Sequence, residues 1–534
     1  MRIRILATVF LLAALVSCVP VPDSEVLPKL TRYRTDPAQT PDWSDDDLAF
    51  FMNGTMSTEV IPEHVLTAFM EIYPDLYPKE GLSAFGIITD GPTDLPIGFS
   101  RRNVPHLAGL SSLGVNCASC HVGEIAGPDG GPPRRVLGMT SHFDPMAFIG
   151  SLIVATFRTA DPAQMKKFLA AYRRASDPAG GAEADRLMKT LLRKQARKIS
   201  QAAKADPFGA VGIAAGGLHE IDPSDLRLEH AALVKGADLG RTTGAFLKLF
   251  HNMRAALHVP DAIPTSAPPP PGPGRNDAFA LLSAVLFGEL IPPANVKFGL
   301  VWNVRNRAWV HWDGNNDNPL LRNMAAALGL GGPLIGDEGR IDMAAIRRQT
   351  DLSESIRAPR YPWMIDREAA RRGRAHYQSE CASCHEASDN DRLHDPSKIG
   401  TDPNRSKQID AKQARLYESL YKRLRIPGYT YNGPPFRATG KYWASDLAGV
   451  WARSPYLHNG SVRTMRELLA RSTDRAAKYR RGSGAFDVAL MGYTDTGTYL
   501  FNARNPTDSN AGHDYGTDLP DAGKSDLIEY LKTL

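Results

Sequence analysis

The five-residue sequence CASCH occurs twice in this chain of 534 residues, first at Cys117–His121 and again at Cys381–His385. The two copies contain four of the five cysteines, and the remaining one is Cys18. No pair of cysteines is therefore left to build a disulfide framework, although the N-terminal sequence predicts export to an oxidising compartment. Whatever the chain folds into has to place these two short motifs.

The Cys-x-x-Cys-His pattern has a specific chemistry. Two thiols three residues apart lie on one helical turn and can add to the vinyl groups of a haem, while the adjacent histidine ligates the iron. A redox dithiol would leave the histidine unexplained in both copies. A zinc ion shared by the two pairs would need a much shorter separation than 264 residues. The pattern therefore predicts two covalently bound c-type haems. The predicted attachment residues are Cys117, Cys120, Cys381 and Cys384, and the predicted proximal ligands are His121 and His385.

The first residues are typical of an export signal. Two arginines precede a short apolar run, residues 5–16, which is too brief to span a bilayer as a mature helix. The run ends in Leu-Val-Ser-Cys, which resembles the lipobox of bacterial lipoproteins, with cleavage after residue 17 and a lipid on Cys18. An ordinary secretory signal is the alternative. A lipid on Cys18 would hold the protein at the periplasmic side of a membrane. The residue after Cys18 is Val19 and not Asp, which favours the outer membrane.

Length and charge limit the classes of function. A chain of this length is too long for one ordinary hydrophobic core, so two or more domains are expected. The 63 Lys and Arg against 58 Asp and Glu give a formal net charge of +5, too small over this length to indicate nucleic-acid binding. Eleven basic residues occur within 164–204. A solvated helix face explains them, and docking of a small electron-donor protein or of lipid headgroups is the alternative.

Helical patterns surround the second motif. Residues 365–377 directly precede it, and residues 524–534 form an amphipathic pattern at the end of the chain. A class I cytochrome c crosses its first and last helices where a glycine allows an aromatic residue to approach closely. Gly373 and Tyr530 are the candidates for that contact.

These patterns predict a mainly α protein with two class I cytochrome c-like haem domains and a large helical insertion around the first haem. The predicted segments are a signal peptide at 1–17, an N-terminal segment at 18–84, an N-terminal haem domain at 85–350 and a C-terminal cytochrome c domain at 351–534. A Pro-rich run at 267–275 predicts an extended connector within the N-terminal haem domain.

Further segments carry a family resemblance. Trp309–Asn315 (WVHWDGN) is similar to the Trp-Asp-Gly segment that bacterial di-haem cytochrome c peroxidases place between their haems, and Ser454–Ser461 (SPYLHNGS) is similar to their Pro-Tyr-x-His-x-Gly segment. With Pro271–Arg275 (PGPGR) and Ser509–Gly516 (SNAGHDYG), the chain most resembles the rubber oxygenase A-like branch of that superfamily. The resemblance covers about residues 85–534 and implies a reactive N-terminal haem and an electron-transferring C-terminal haem.

The resemblance also implies roles for individual residues. At the second haem it favours His513 as the distal ligand, with Met491 as the alternative, and suggests that His458 bonds a haem propionate. At the first haem it implies an open or displaceable sixth position for peroxide or O2. Trp312 is the candidate electron relay between the haems, with its indole N–H donated to Asp313. The alternative is that Trp312 is a core aromatic residue.

The residues after the Trp-Asp-Gly segment depart from the peroxidase pattern. Peroxidases generally need an acid–base residue, and the peroxidase branch supplies Gln and Glu here. Residues 316–327 contain no Glu, and Arg322 stands where Gln is expected, where it could polarise a bound peroxide. We expect an exported di-haem oxidoreductase that activates peroxide or O2 at the N-terminal haem. The alternatives are a rubber oxygenase-like dioxygenase that cleaves an apolar alkene, and a membrane-anchored electron carrier without enzymatic activity.

Overall fold

The computed structural model describes residues 35–90, 95–104, 110–159, 162–176, 271–283, 287, 289, 291–332, 341–424, 434–505 and 507–534. The predicted leader with Cys18 lies outside the described residues. So do most of the predicted helical insertion, the basic residues after 176 and the first part of the Pro-rich run.

The α-helices of the described chain range from one turn to four turns. They are α1 (Asp45–Asn53), α2 (Glu63–Ile72), α3 (Cys117–His121), α4 (Pro145–Thr159), α5 (Pro162–Ala175), α6 (Ala278–Leu282), α7 (Pro319–Gly329), α8 (Met343–Ser355), α9 (Arg367–Glu380), α10 (Ala382–His385), α11 (Pro396–Ile399), α12 (Asn404–Gln408), α13 (Ala411–Leu424), α14 (Met465–Leu468) and α15 (Asp521–Leu531). Within the described ranges, none of these helices is long and apolar enough to cross a membrane.

The strands are short and pair antiparallel. They are β1 (Ile61–Pro62), β2 (Phe99–Val104), β3 (Leu110–Val115), β4 (Val122–Ile125), β5 (Arg134–Leu137), β6 (Arg275–Asn276), β7 (Val296–Lys297), β8 (Leu393–His394), β9 (Tyr442–Trp443), β10 (Lys478–Arg481), β11 (Phe486–Asp487), β12 (Gly492–Tyr493) and β13 (Tyr499–Asn502). One sheet has three strands in the order β1-β3-β2, and the pairs β4-β5, β6-β7, β8-β9, β10-β13 and β11-β12 form two-stranded sheets.

The prediction of a mainly α protein with two class I cytochrome c-like domains is wrong. Among the described residues, 42% are helical and 14% lie in strands, so the described fold is mixed. The surroundings of the first motif differ most from the prediction, because α3 lies between the β2-β3 pair and the β4-β5 pair. Strands of two to six residues are too short to give a clear alternation of apolar and polar residues, and they form here because tertiary pairing stabilises them.

Two predicted helices at the second motif are confirmed as α9 and α15, and they cross each other. A side chain at Gly373 would collide with the carbonyl of Asp526, so only glycine permits this approach. Tyr530 lies four residues after Asp526 on the same helix, and its contact with Gly373 stays a prediction. Its ring packs on Tyr377, with ring centroids 5.1 Å apart.

The main hydrophobic core contains residues from most of the described chain. Phe51, Trp302, Trp451 and Leu527 are all fully buried in it. Each such side chain stabilises the fold by roughly 1.5–3 kcal/mol relative to an exposed position. The core therefore includes residues from both sides of position 350, and the domain boundary there stays a prediction.

Candidate functional site

Asn116 fixes the helix that carries the first motif. Its Oδ1 accepts a hydrogen bond from the Ala118 amide at 2.9 Å, and its Nδ2 donates to the carbonyl oxygen of Gly54 at 2.8 Å. Gly98 has a φ of +84°, and a side chain there would collide with the backbone of Ser119. The cap and the close backbone contact together set the direction in which the side chains of α3 point.

The cysteines and the histidine of the first motif line a cavity of about 280 Å³. Much of its wall is apolar, with Phe279, Leu282, Phe298, Val301, Leu330 and Phe436 among the lining residues. Trp312 and Arg322 line the same cavity. The fold thus brings the first motif together with both residues predicted to take part in catalysis.

Burial governs the ionisable groups of the first motif. It lowers the pKa of His121 to about 3, with the charge of Arg322 as the second cause. It also raises the pKa of the Cys117 thiol and raises the pKa of the Cys120 thiol to about 12. Thiols with a high pKa are poor redox nucleophiles, whereas a neutral imidazole is the form that binds a metal. The raised thiol pKa values argue against a reactive dithiol, and the lowered pKa of His121 leaves its imidazole neutral and able to bind a metal.

The second motif directly follows α9, and its histidine has a fixed orientation. His385 Nδ1 lies 2.7 Å from the carbonyl oxygen of Ser445. A carbonyl oxygen can only accept, so Nδ1 carries the proton and Nε2 carries the lone pair. Arg392 donates to the carbonyl oxygens of His385 at 3.1 Å and Ala444 at 3.0 Å, which holds the motif against the same segment.

The ring of His513 faces the ring of His385. Their centroids are 6.3 Å apart and their planes form an angle of 50°. This spacing leaves room for one metal ion bound by a ring nitrogen on each side at about 2 Å. Burial lowers the pKa of His385, and burial together with His385 lowers the pKa of His513 to about 4. Both imidazoles are therefore neutral at pH 7, as iron ligands have to be.

Arg475 holds the loop that carries His513. It donates through Nη1 to the carbonyl oxygens of Asn510 and Gly512, both at 2.6 Å, and through Nη2 to that of His513 at 3.3 Å. Gly512 packs on the backbone of Gly400 so closely that a side chain would collide. His513 itself has a φ of +55°, a left-handed conformation that these contacts maintain.

The other residues predicted near the second haem have different surroundings. Met491 is fully buried in the main core, and its carbonyl oxygen accepts from the Tyr456 hydroxyl at 2.9 Å. His458 is buried, its Nε2 lies 3.0 Å from the Tyr442 hydroxyl, and the two ring centroids are 4.4 Å apart. The bond from His458 to a haem propionate stays a prediction.

Trp312 does not donate to Asp313. Its Nε1 donates to the carbonyl oxygen of Lys297 at 3.2 Å. Asp313 instead forms a buried ion pair with Arg405 at 3.1 Å. The Asp313 carboxylate is therefore already paired, and the indole N–H of Trp312 donates instead to a backbone carbonyl oxygen of β7.

A short connection leads from the cavity to the second motif. The carbonyl oxygen of Trp312 accepts from the Trp443 amide at 2.8 Å, and Trp443 lines the same cavity. Ser445, two residues later, accepts from His385. Two hydrogen bonds and a three-residue segment thus join Trp312 to the histidine of the second motif.

His311 is a cavity residue that the sequence reasoning missed. Its ring lines the cavity beside Trp312, and its Nδ1 lies 2.7 Å from Asn315 Oδ1. Its φ of +72° is uncommon for a residue other than glycine. The only signal in the sequence was its position directly before Trp312.

Part of the chain matches a known protein family. Residues 440–480 match a family described as RoxA-like, cytochrome c-like. This segment contains Trp443 and Ser445 and so lies beside the second motif. The match supports the resemblance to the rubber oxygenase A-like branch, and it implies a c-type haem with iron and a haem-dependent oxidoreductase.

The chain is also similar to two uncharacterized proteins of Sinorhizobium fredii. It is 31% identical to y4iM over an alignment that covers 44% of this chain and 63% of that protein. It is 24% identical to y4iJ over an alignment that covers 86% of this chain and 85% of that protein. Because the alignment spans less than two thirds of y4iM and neither relative has a described role, activity and substrate are matters for a proposal.

Proposed function

We propose that this protein is an exported di-haem c-type cytochrome that activates peroxide or O2 at the haem of the first motif. The haem of the second motif would transfer the electrons. The observation that carries the proposal is the difference between the two motif histidines. His385 faces His513 across 6.3 Å, whereas His121 lines a cavity of about 280 Å³. An iron with two fixed histidines transfers electrons, and an iron with an exchangeable position can bind a small oxidant.

Each haem would be held by residues that fit it. Cys117, Cys120 and His121 would hold the first, and Cys381, Cys384, His385 and His513 would hold the second. At the first site the apolar part of the wall would limit the access of water to a bound oxidant. Arg322 can donate its guanidinium N–H groups to an oxygen atom of peroxide, and its nearness to His121 is evident from its effect on the pKa of that imidazole.

Trp312 would relay electrons between the two sites. Its indole lines the cavity, and its backbone is joined to His385 through Trp443 and Ser445. The order of a reactive N-terminal haem and an electron-transferring C-terminal haem is that of the bacterial di-haem peroxidase superfamily. We propose membership of that superfamily, with haem domains at 85–350 and 351–534.

The site of action would be the periplasmic side of a membrane, most simply the outer membrane. This part of the proposal is carried by the lipobox-like sequence ending at Cys18 and by the export signal before it. A small electron-donor protein would deliver electrons to the haem of the second motif.

A dioxygenase that cleaves an apolar alkene is the second candidate. It is favoured by the apolar wall of the cavity and by the RoxA-like match at residues 440–480. In that case O2 would bind at the first site, and the apolar substrate would lie against residues such as Phe279 and Phe436.

Three measurements on the purified protein test the proposal. Intact mass should show two covalent haems on one chain. Optical titration of the fully ferric protein with hydrogen peroxide should change the spectrum of one haem only, and turnover of an unsaturated hydrocarbon under O2 separates the dioxygenase from the peroxidase. One haem by mass, or no reaction with either oxidant, would contradict the proposed function.

A further inference from the structure

His311 lies where a residue could act on a small molecule bound at the first site. Its ring lines the same cavity as His121 and Arg322. Burial lowers the pKa of His311 to about 3, and the charges of Arg405 and Arg322 act in the same direction. Arg322 also lowers the pKa of His121, so its guanidinium lies close to both imidazoles.

A chain of hydrogen bonds determines which ring nitrogen of His311 carries the proton. Asp313 Oδ1 accepts from Arg405 Nη2 at 3.1 Å, and Asp313 Oδ2 accepts from Asn315 Nδ2 at 2.8 Å. The amide nitrogen of Asn315 therefore faces the carboxylate, and its oxygen faces His311 Nδ1 at 2.7 Å. Because an amide oxygen can only accept, Nδ1 of His311 is the protonated nitrogen.

The other nitrogen, Nε2, consequently carries a lone pair. No side chain or backbone group in the described part of the chain forms a hydrogen bond with it. The rings packed on His311 are those of Phe279, at a centroid distance of 5.4 Å, and Phe436, at 6.4 Å, and neither can donate or accept a conventional hydrogen bond. The φ of +72° at His311 is a strained conformation of the kind found at functional sites.

We propose that His311 is the acid–base residue of this cavity, with Nε2 as the atom that accepts a proton from a protic small molecule bound there. With hydrogen peroxide, one O–H proton passes to Nε2, which leaves a hydroperoxide anion and an imidazolium; no electron moves in this step. His311 thus supplies the group that residues 316–327 lack. Asn315, Asp313 and Arg405 are positioning residues that hold its tautomer. The inference rests on the proposed function, because it needs an exchangeable position at the first haem.

Hydrogen cyanide is a suitable probe, because it is protonated at neutral pH and has to lose its proton as it binds ferric haem. The experiment measures its association rate by stopped-flow absorption on the full-length, haem-loaded protein. His311→Gln keeps an N–H donor toward Asn315 but cannot take up a proton at pH 7. We expect it to slow association by about 100-fold, the lower range for loss of general acid–base catalysis.

The matched control is His142→Gln. The ring of His142 packs on Tyr493 at 4.9 Å and belongs to a separate small pocket, so the association rate should stay at the wild-type value. Asn315→Leu provides a second variant that keeps His311. It should slow association to a smaller extent, because Nδ1 loses the acceptor that fixes the tautomer.

Three results would overturn the inference, and each has a distinct cause. If His311→Gln binds cyanide as fast as wild type while retaining both haems, His311 is not the base. If the resting ferric spectrum of His311→Gln changes from six-coordinate to five-coordinate, His311 is an iron ligand instead. If wild type and His142→Gln both fail to bind cyanide, the proposed function itself fails, since the first haem then has no exchangeable position.

Discussion

The two CASCH motifs have the same five residues and different surroundings. The first lies between two strand pairs and lines an apolar cavity, whereas the second follows a 14-residue helix and has a histidine opposite its own. The attachment chemistry is therefore local in the sequence. In the proposed di-haem protein, the reactivity of each iron would depend on residues far along the chain, such as His311 at the first motif and His513 at the second.

Removing one pair of cysteines should have the largest effect, and it should separate the two sites. Cys117→Ala with Cys120→Ala should remove one haem by mass and abolish binding of peroxide and cyanide. The low-spin spectrum of the second haem should remain. The matched double variant at Cys381 and Cys384 should do the reverse. Loss of oxidant binding in the second variant, with retention in the first, would show that the oxidant binds at the second motif.

Opening the second site should convert it into a site like the first. His513→Gly suits the φ of +55° at this position and removes the ring that faces His385. We expect the low-spin ferric signal to become high-spin almost completely, with cyanide then binding at both haems. His458→Gln is the control, because His458 Nε2 is already hydrogen-bonded to Tyr442. In this variant the haem of the second motif should stay low-spin. An unchanged signal in His513→Gly would favour Met491 as the ligand.

The close crossing of α9 and α15 beside the second motif should contribute to the stability of the fold. Gly373→Ala places a methyl group against the carbonyl of Asp526, and such overpacking costs about 1–3 kcal/mol of unfolding free energy. Denaturant titration measures this loss. Arg374→Ala, an exposed neighbour on α9, should change stability by less than about 0.5 kcal/mol. Equal effects of the two substitutions would show that the crossing is not tight.

Substitution of Asp446 should have the smallest effect on stability, and the size of that effect should depend on pH. Although burial alone would raise the pKa of Asp446, Arg307 and Arg453 lower it below its usual value. A lowered carboxyl pKa adds stability above the unfolded-state pKa, and this stability is lost as pH falls through the folded-state pKa. The carboxyl side chain is 36% exposed, so we expect Asp446→Asn to lose only about 1 kcal/mol at pH 7.

Urea unfolding at pH 7, 5 and 3 measures this difference between Asp446→Asn and wild type. The two proteins should converge as the pH approaches 3, because Asp446 is then increasingly protonated in both the folded and the unfolded state. A difference that grows on acidification would contradict the sign of the pKa shift.

The sequence predicted those parts of the molecule that depend on neighbours in the chain. The helices at 367–380 and 521–531 followed from their periodicity. The strands around the first motif did not, because pairs such as Phe99 with Val115 form between segments that are too short to show a pattern. Polar contacts between residues far apart in the sequence were not predicted either. Trp312 bonds Lys297 and not the adjacent Asp313, because Arg405, 92 residues further on, pairs with that carboxylate.

The direct test of the central difference between the two haem sites is low-temperature EPR of the ferric protein, repeated after one-electron reduction. We predict a low-spin signal from the haem held by His385 and His513, and a high-spin signal from the haem at His121 in at least one of the two states. Two low-spin haems in the oxidised protein, with no high-spin form after half reduction, would contradict it. Such a result would identify the protein as a plain electron-transfer cytochrome.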